Sequence, residues 1–156
     1  MPYTELMKQA KVLIVEDDSN QSELELEILN SSDYEVTVTN CYKDAVEILL
    51  IKQFDVVLLD FNLPDKNGDE LCRWVRSQDE LALVPIIMVT GDDVFSTLPK
   101  CMDSGATDFI RKPFHAIELI SRVNSAIRFK RNTDNLDSAQ SLLFTLARLV
   151  EAKDEI

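Results

Sequence analysis

Asp55-Val56-Val57-Leu58-Leu59-Asp60, followed at once by Phe61-Asn62-Leu63-Pro64-Asp65, is the stretch that decides the fold. Four apolar residues in a row between two acids fit a strand buried on both faces. Such strands belong to parallel sheets covered by helices. The run ends at a carboxylate, so Asp60 stands at the carboxyl end of the strand. That is the rim where open α/β sheets carry their ligands. Pro64 and Gly68 mark the loop that follows.

Working outward, the same pattern recurs. Lys11-Val12-Leu13-Ile14-Val15 is a second buried strand, and it ends in Glu16-Asp17-Asp18. Ser19, Asn20 or Asp18 suits a helix N-cap there, with Leu24, Leu26, Ile28 and Leu29 as a loosely periodic buried side. Asn30-Ser31-Ser32-Asp33 is a turn. Residues 34–39 alternate like a strand, with Val36 and Val38 on one face. Residues 43–52 read as a helix with Ala45, Val46, Leu49 and Leu50 inward. Residues 68–77 read as another, with Leu71, Trp74 and Val75 at helical spacing. Residues 85–90 are a fourth strand, ending in Thr90-Gly91-Asp92-Asp93. A helix over about 94–104 carries Pro99 and ends near Gly105. Residues 107–110 are a fifth strand, followed by Arg111-Lys112-Pro113-Phe114. The helix over 116–130 turns Leu119, Ile120, Val123 and Ile127 inward. Five alternations of strand and helix predict an α/β, doubly wound parallel sheet.

Composition bounds the function. The chain has 156 residues and is 46% hydrophobic, enough for a core of its own. Its formal net charge of −12 opposes direct binding to nucleic acid or to an anionic membrane surface. Cys41, Cys72 and Cys101 have neither metal-ligand nor disulfide-framework spacing and read as core or half-exposed thiols. The opening residues show no signal peptide, and no apolar run nears the ~20 residues of a membrane span. A cytoplasmic setting is the expectation. Residues 1–10 read as a short, weakly structured leader. His115, the only histidine, reads as a surface residue.

The polar residues at the strand ends carry the chemistry. Glu16 and Asp17, Asp60, Thr90 and Lys112 all fall on one rim of a parallel sheet. Three close carboxylates cannot all stay ionised without a cation. A hard divalent ion with oxygen ligands suits them, and Mg²⁺ fits by type and availability. Lys112 supplies a mobile point charge for a phosphate oxygen, and Thr90 a hydroxyl. Asp60 remains as a nucleophile able to form an aspartyl phosphate.

As a set, Val15-Glu16-Asp17-Asp18, Leu58-Leu59-Asp60 with Leu63-Pro64 and Gly68, Thr90, and Lys112-Pro113 resemble the receiver domain of bacterial two-component response regulators. The spacings of 43, 30 and 22 residues from Asp17 to Asp60, Thr90 and Lys112 in turn fit that pattern, over residues 10–130. The resemblance implies a flavodoxin-like sheet in strand order 2-1-3-4-5. It implies Asp60 as phosphoacceptor, served by a sensor histidine kinase, a phosphotransfer protein or a small phosphodonor. Asp17, Asp60 and the Asn62 main-chain carbonyl would hold Mg²⁺ directly, and Glu16 through water. Thr90 and Lys112 would bind the phosphoryl group, Thr90 and Phe109 would switch, and Lys112-Pro113 would be a cis peptide. Phe109 also has a plain reading as core filler. Three departures stand out: Gly91 where a small Ala is usual, Lys66-Asn67 for the common apolar-acidic pair, and Phe109 without a tyrosine hydroxyl. Two other functions stay open: a receiver-shaped interaction module that is never phosphorylated, and an Asp-nucleophile hydrolase. Against the hydrolase, Asn62 stands where its general acid would be.

Residues 131–156 lie outside the five-unit pattern. Leu136, Ala139, Leu143, Leu146 and Val150 recur at alternating steps of three and four, and Phe129 and Asn132 extend the seam backwards. A coiled-coil homodimer, an amphipathic helix packed on its own domain, and a disordered tail all remain open. Residues 135–140 and 146–154 resemble the opening helix of HD-GYP domains, cyclic di-GMP phosphodiesterases often fused after a receiver. The expectation is a piece of a longer protein whose fused output domain lies beyond this chain.

Overall fold

A computed structural model describes residues 9–91 and 94–154. Residues 1–8 of the expected leader over 1–10, the acids Asp92 and Asp93, and the last two residues lie outside them, and Ala10 belongs to the first strand instead of the leader. Five strands, β1 (Ala10–Val15), β2 (Tyr34–Thr39), β3 (Val56–Asp60), β4 (Ile86–Thr90) and β5 (Asp108–Arg111), form one parallel sheet in the order β2-β1-β3-β4-β5. Five helices cover it: α1 (Ser19–Ile28), α2 (Tyr42–Ile51), α3 (Gly68–Ser77), α4 (Val94–Asp103) and α5 (Ala116–Asp154). This is the doubly wound, flavodoxin-like sheet expected of the sequence. No helix among the described residues is long and apolar enough to cross a membrane.

The strand period of two sorts the core onto the two faces of the sheet. Leu13, Val15, Val57, Leu59, Ile86 and Met88 pack with Ala45, Leu71 and Cys101 from α2, α3 and α4. Val12, Ile14, Val56, Leu58, Ile87 and Ile110 pack with Leu29, the residue that closes α1, and with Leu119 and Val123 from α5. β3 lies in the middle with all five residues buried. Its four apolar side chains contribute roughly 6–12 kcal/mol of gross burial. The helices end where side chains and turns stop them. Asp18 caps α1 by accepting from the Asn20 and Gln21 amides at 2.9 and 3.4 Å. α4 runs over the exposed Pro99. It closes as a Schellman turn, with the Gly105 amide on Met102 O and the Ala106 amide on Cys101 O, both at 3.1 Å. Gly105 takes φ of 102°, the left-handed region that glycine allows.

Several expectations need correction. Leu24 and Leu26 are not on the buried side of α1; they are 46% and 42% exposed, and Glu25 is buried between them. Leu50 of α2 also faces outward, and Val38, which shares a face of β2 with the half-buried Val36, is 41% exposed. Val38 lies on an edge strand, so no second neighbour covers it. β5 starts at Asp108 rather than Thr107. The helix over 116–130 and the tail form one continuous helix of 39 residues. Described residues 134–152 are exposed and helical; Asp134, Asp137 and Ser138 still line a cleft with Phe54, Asp55 and Leu81 of the domain, and residues 139–152 stand clear of it.

Candidate functional site

Four strands deliver the site. β1 ends into Glu16 and Asp17, β3 at Asp60, β4 at Thr90, and β5 leads into Lys112. The parallel register brings these ends together: Val15 pairs with Leu59, Asp60 with Val89, and Thr90 with Arg111. The Lys112 amide then donates to Thr90 O at 2.8 Å. One oxygen each from Glu16, Asp17 and Asp60 lies within 4.8 Å of the others. Lys112 Nζ is 3.1 Å from Glu16 Oε1 and 3.6 Å from Asp60 Oδ1. Glu16, Asp60 and Thr90 are buried, and Asp17 is exposed at the mouth.

The electrostatics follow from this packing. Burial pushes the Glu16 carboxyl up, and the neighbouring Asp60 carboxylate pushes it further, against the opposing pull of Lys112. Burial alone would lower the Lys112 pKa. The charges of Asp60 and Glu16, with the Glu16 hydrogen bond, outweigh it and hold the ammonium above its ordinary value. Glu16 Oε2 is buried without a hydrogen-bond partner. An orphaned carboxylate oxygen beside two further carboxylates is a donor set that fits a hard divalent cation.

The backbone around Asp60 is held tightly. The Asn62 amide donates to Asp60 Oδ1 at 3.3 Å, and the Gly68 amide donates to Phe61 O at 2.6 Å. A Cβ on Gly68 would lie 2.5 Å from Asp60 O and 3.0 Å from Phe61 Cα. Gly68→Ala is therefore expected to lower unfolding stability by about 1–3 kcal/mol, because the atoms it meets are backbone. Urea denaturation measures this; an unchanged midpoint would mean the loop yields freely. A Cβ on Gly91, the departure noted above, would only touch the Lys112 side chain at 3.6 Å. Phe109 is half-buried against the core packed by α2, α3 and α4. Lys112-Pro113 is cis, as the resemblance implied. His115 is exposed and Trp74 half-buried. Cys41, Cys72 and Cys101 are free thiols.

Other polar residues went unread in the sequence. Asp65, in the loop after Asp60, accepts from the amides of Tyr42 and Lys43 at 2.9 and 3.1 Å, so it caps α2 from a distant loop. Such a cap contributes ~1 kcal/mol. Desolvation would raise the Asp65 pKa, but these amides and those of Asp65 and Lys66 outweigh it and hold it below its usual value. Lys66 lies 4.6 Å over the Tyr42 ring, and the Asn67 amide donates to Glu70 at 3.1 Å. The unusual Lys66-Asn67 pair thus ties α2 and α3 to the loop that carries Asp60. Arg76 is half-buried and donates to Gly105 O, Ala82 O, Val84 O and Thr107 Oγ1 at 2.6 to 3.3 Å, pinning the turns beneath β4 and β5. Buried Glu25 left only an indirect trace, the poor apolar period of α1, which does not say which residue turns inward.

Comparison with known proteins agrees with this geometry. The family model for the response regulator receiver domain matches residues 12–124. The cell cycle transcriptional regulator CtrA of Caulobacter vibrioides is 33% identical over 118 residues, 76% of this chain and 50% of that protein. The response regulator ArlR of Staphylococcus epidermidis is 36% identical over 127 residues, 81% of this chain and 56% of that protein. The chain thus spans about half the length of these relatives. The receiver domain of the sensor histidine kinase PA1611 from Pseudomonas aeruginosa PAO1 has a TM-score of 0.72 and 28% identity. That match covers 76% of this chain and 98% of that one, whose crystal structure has a magnesium ion coordinated in its active-site cleft. With the family match running from β1 into α5, the chain belongs to the receiver domains of response regulators.

Proposed function

We propose that this receiver takes a phosphoryl group onto Asp60 from a sensor histidine kinase or phosphotransfer protein, in the cytoplasm, with Mg²⁺ as cofactor. The observation that carries the reading is the convergence of Glu16, Asp17 and Asp60 within 4.8 Å, beside Lys112. Asp17, Asp60 and the Asn62 carbonyl would hold the ion, with Glu16 acting through water. The ion supplies positive charge that offsets carboxylate and phosphate repulsion. An Asp60 carboxylate oxygen attacks phosphorus, and the bond from phosphorus to the donor atom breaks. Lys112 then exchanges part of its contact with Glu16 for a phosphoryl oxygen. Thr90 donates its hydroxyl to another, and Phe109 follows it inward as the switch. α5 begins in the domain and continues into the tail without a break, so the change has a rigid path onward. We take its target to be a fused output domain. The resemblance of residues 135–140 and 146–154 to an HD-GYP opening helix supports a cyclic di-GMP phosphodiesterase. The exposed tail seam supports a homodimer.

Intact mass after incubation with acetyl phosphate and Mg²⁺ tests the phosphoacceptor reading. The expected result is a gain of one phosphoryl group per chain, abolished by a chelator. No gain would leave an interaction module. Many turnovers of the donor with no lasting adduct would leave a hydrolase.

A further inference from the structure

The tail presents one helix face that nothing among the described residues covers. Leu136, Leu143, Leu146 and Val150 are 64%, 67%, 49% and 61% exposed. With Phe129, Asn132 and Ala139 they form a seam of alternating three- and four-residue steps, roughly 32 Å long. Leu142 and Leu149 flank it on one side. Phe144 lies outside it, with the Arg148 guanidinium 5.7 Å over its ring.

Three observations identify what covers this face. The first is charge. Between residues 129 and 152, Lys130, Arg131, Asp134, Asp137, Arg148 and Glu151 all occupy the outer heptad positions. Between Phe129 and Ala152 the seam and both its flanks carry no charge; Arg128 and Lys153 bracket that stretch. A chain of net charge −12 can therefore lay this face against its own copy with no like charges meeting there.

The second is direction. Leu119, Val123, Ala126 and Ile127 are the side chains that bury α5 in the domain. At about 100° per residue, the seam lies roughly 155° round the helix from them. The face points away from its own domain, so two copies can pair without their domains colliding. The third is Asn132, the one strongly polar residue in the seam. In a parallel, in-register pair it meets Asn132 of the second copy, and the two amides hydrogen-bond. In an antiparallel pair it would be buried against an apolar side chain.

We infer that the tail seam, Phe129 through Val150, binds a second copy of this chain as a parallel, in-register helix pair with Asn132 fixing the register. This names the partner and geometry of the homodimer suggested above and does not depend on phosphorylation.

Sedimentation equilibrium of the whole chain, over a wide range of concentration, tests it. The wild type is expected at twice the mass of one chain. Leu143→Asp with Leu146→Asp is expected to give a monomer, and Ser141→Asp, on the outer face, to stay dimeric. Leu146→Cys is expected to form an interchain disulfide on mild oxidation, which needs Cβ atoms about 3.5–4.5 Å apart. Ser141→Cys and the wild type are expected to form none. All these positions are exposed, so the domain stays intact, and phosphoryl uptake by the double Asp variant reports on Asp60 separately. A wild-type monomer would overturn the proposal and give the face to a different helix. So would a dimer that survives both Asp substitutions, a tetramer, or equal cross-linking from Ser141→Cys.

Discussion

Asp60→Asn is expected to take up no phosphoryl group from acetyl phosphate and Mg²⁺ under conditions that load the wild type fully. The substitution keeps the shape and an oxygen for the Asn62 amide and for Lys112, so the loop has no reason to move. It removes the nucleophile, because an amide oxygen does not form a stable acyl phosphate. It also removes one of three clustered carboxylates. Losing only an outer partner of a metal ligand costs ~10–100-fold in affinity, so losing a ligand should cost at least as much. Isothermal titration calorimetry with Mg²⁺ measures that second effect. Intact mass measures the first. A phosphoryl gain on Asp60→Asn would place the acceptor elsewhere, with Asp17 the exposed carboxylate of the same cluster.

The second large effect is one of stability and pH. Glu25→Leu should stabilise the fold by on the order of 3 kcal/mol at pH 8 and by little at pH 4.5. Glu25 is 2% exposed in the face of α1 turned toward the sheet. Its carboxyl is pushed up to about 7, first by burial, against the nearby Gln21 side chain and the Lys112 charge, with Asp60 adding repulsion. The sign follows from linkage. The folded pKa lies above the unfolded one, so the folded state holds the proton more tightly. The stability this contributes is complete below about pH 4.5 and is lost as pH rises through 7. Above that, a buried charge remains. Leucine removes the charge and fills a similar volume; Glu25→Gln removes the charge while keeping the shape. Glu16 titrates in the same direction, so the quantity to measure is the difference between wild-type and variant urea curves at each pH. A difference that does not change with pH would show that Glu25 carries no strained charge.

Glu25 also marks where sequence reading fails. The apolar period of α1 placed Leu24 and Leu26 inward, since transfer energy favours leucine over a carboxylate at a buried position. The fold turns the helix so that Gln21, Glu25 and Leu29 share the inner side, spaced by four residues. A polar residue at such a position is legible only once the helix has been docked. The same holds for Asp65. Its partners are the amides of Tyr42 and Lys43, more than twenty residues upstream, and no local pattern announces a cap supplied by another loop. Arg76 reads in sequence as an ordinary helix-end cation, yet its acceptors are carbonyls of two separate turns.

The alternation of strand and helix, and the residues standing at the strand ends, are legible in the order of residues alone. Both follow from covalent order: a buried strand needs an unbroken apolar run, and whatever follows the run sits on the rim. Glu16, Asp17, Asp60, Thr90 and Lys112 could therefore be named before any coordinates. Only the tertiary structure decided that Lys112 stands 3.1 Å from Glu16 and 3.6 Å from Asp60. It also decided that Glu16 keeps an unpartnered oxygen, that α1 buries a carboxyl, and that the tail seam turns away from its own domain. Those depend on sheet order, helix rotation and the phase at which one long helix leaves the domain. Each is set by packing between segments far apart in the chain.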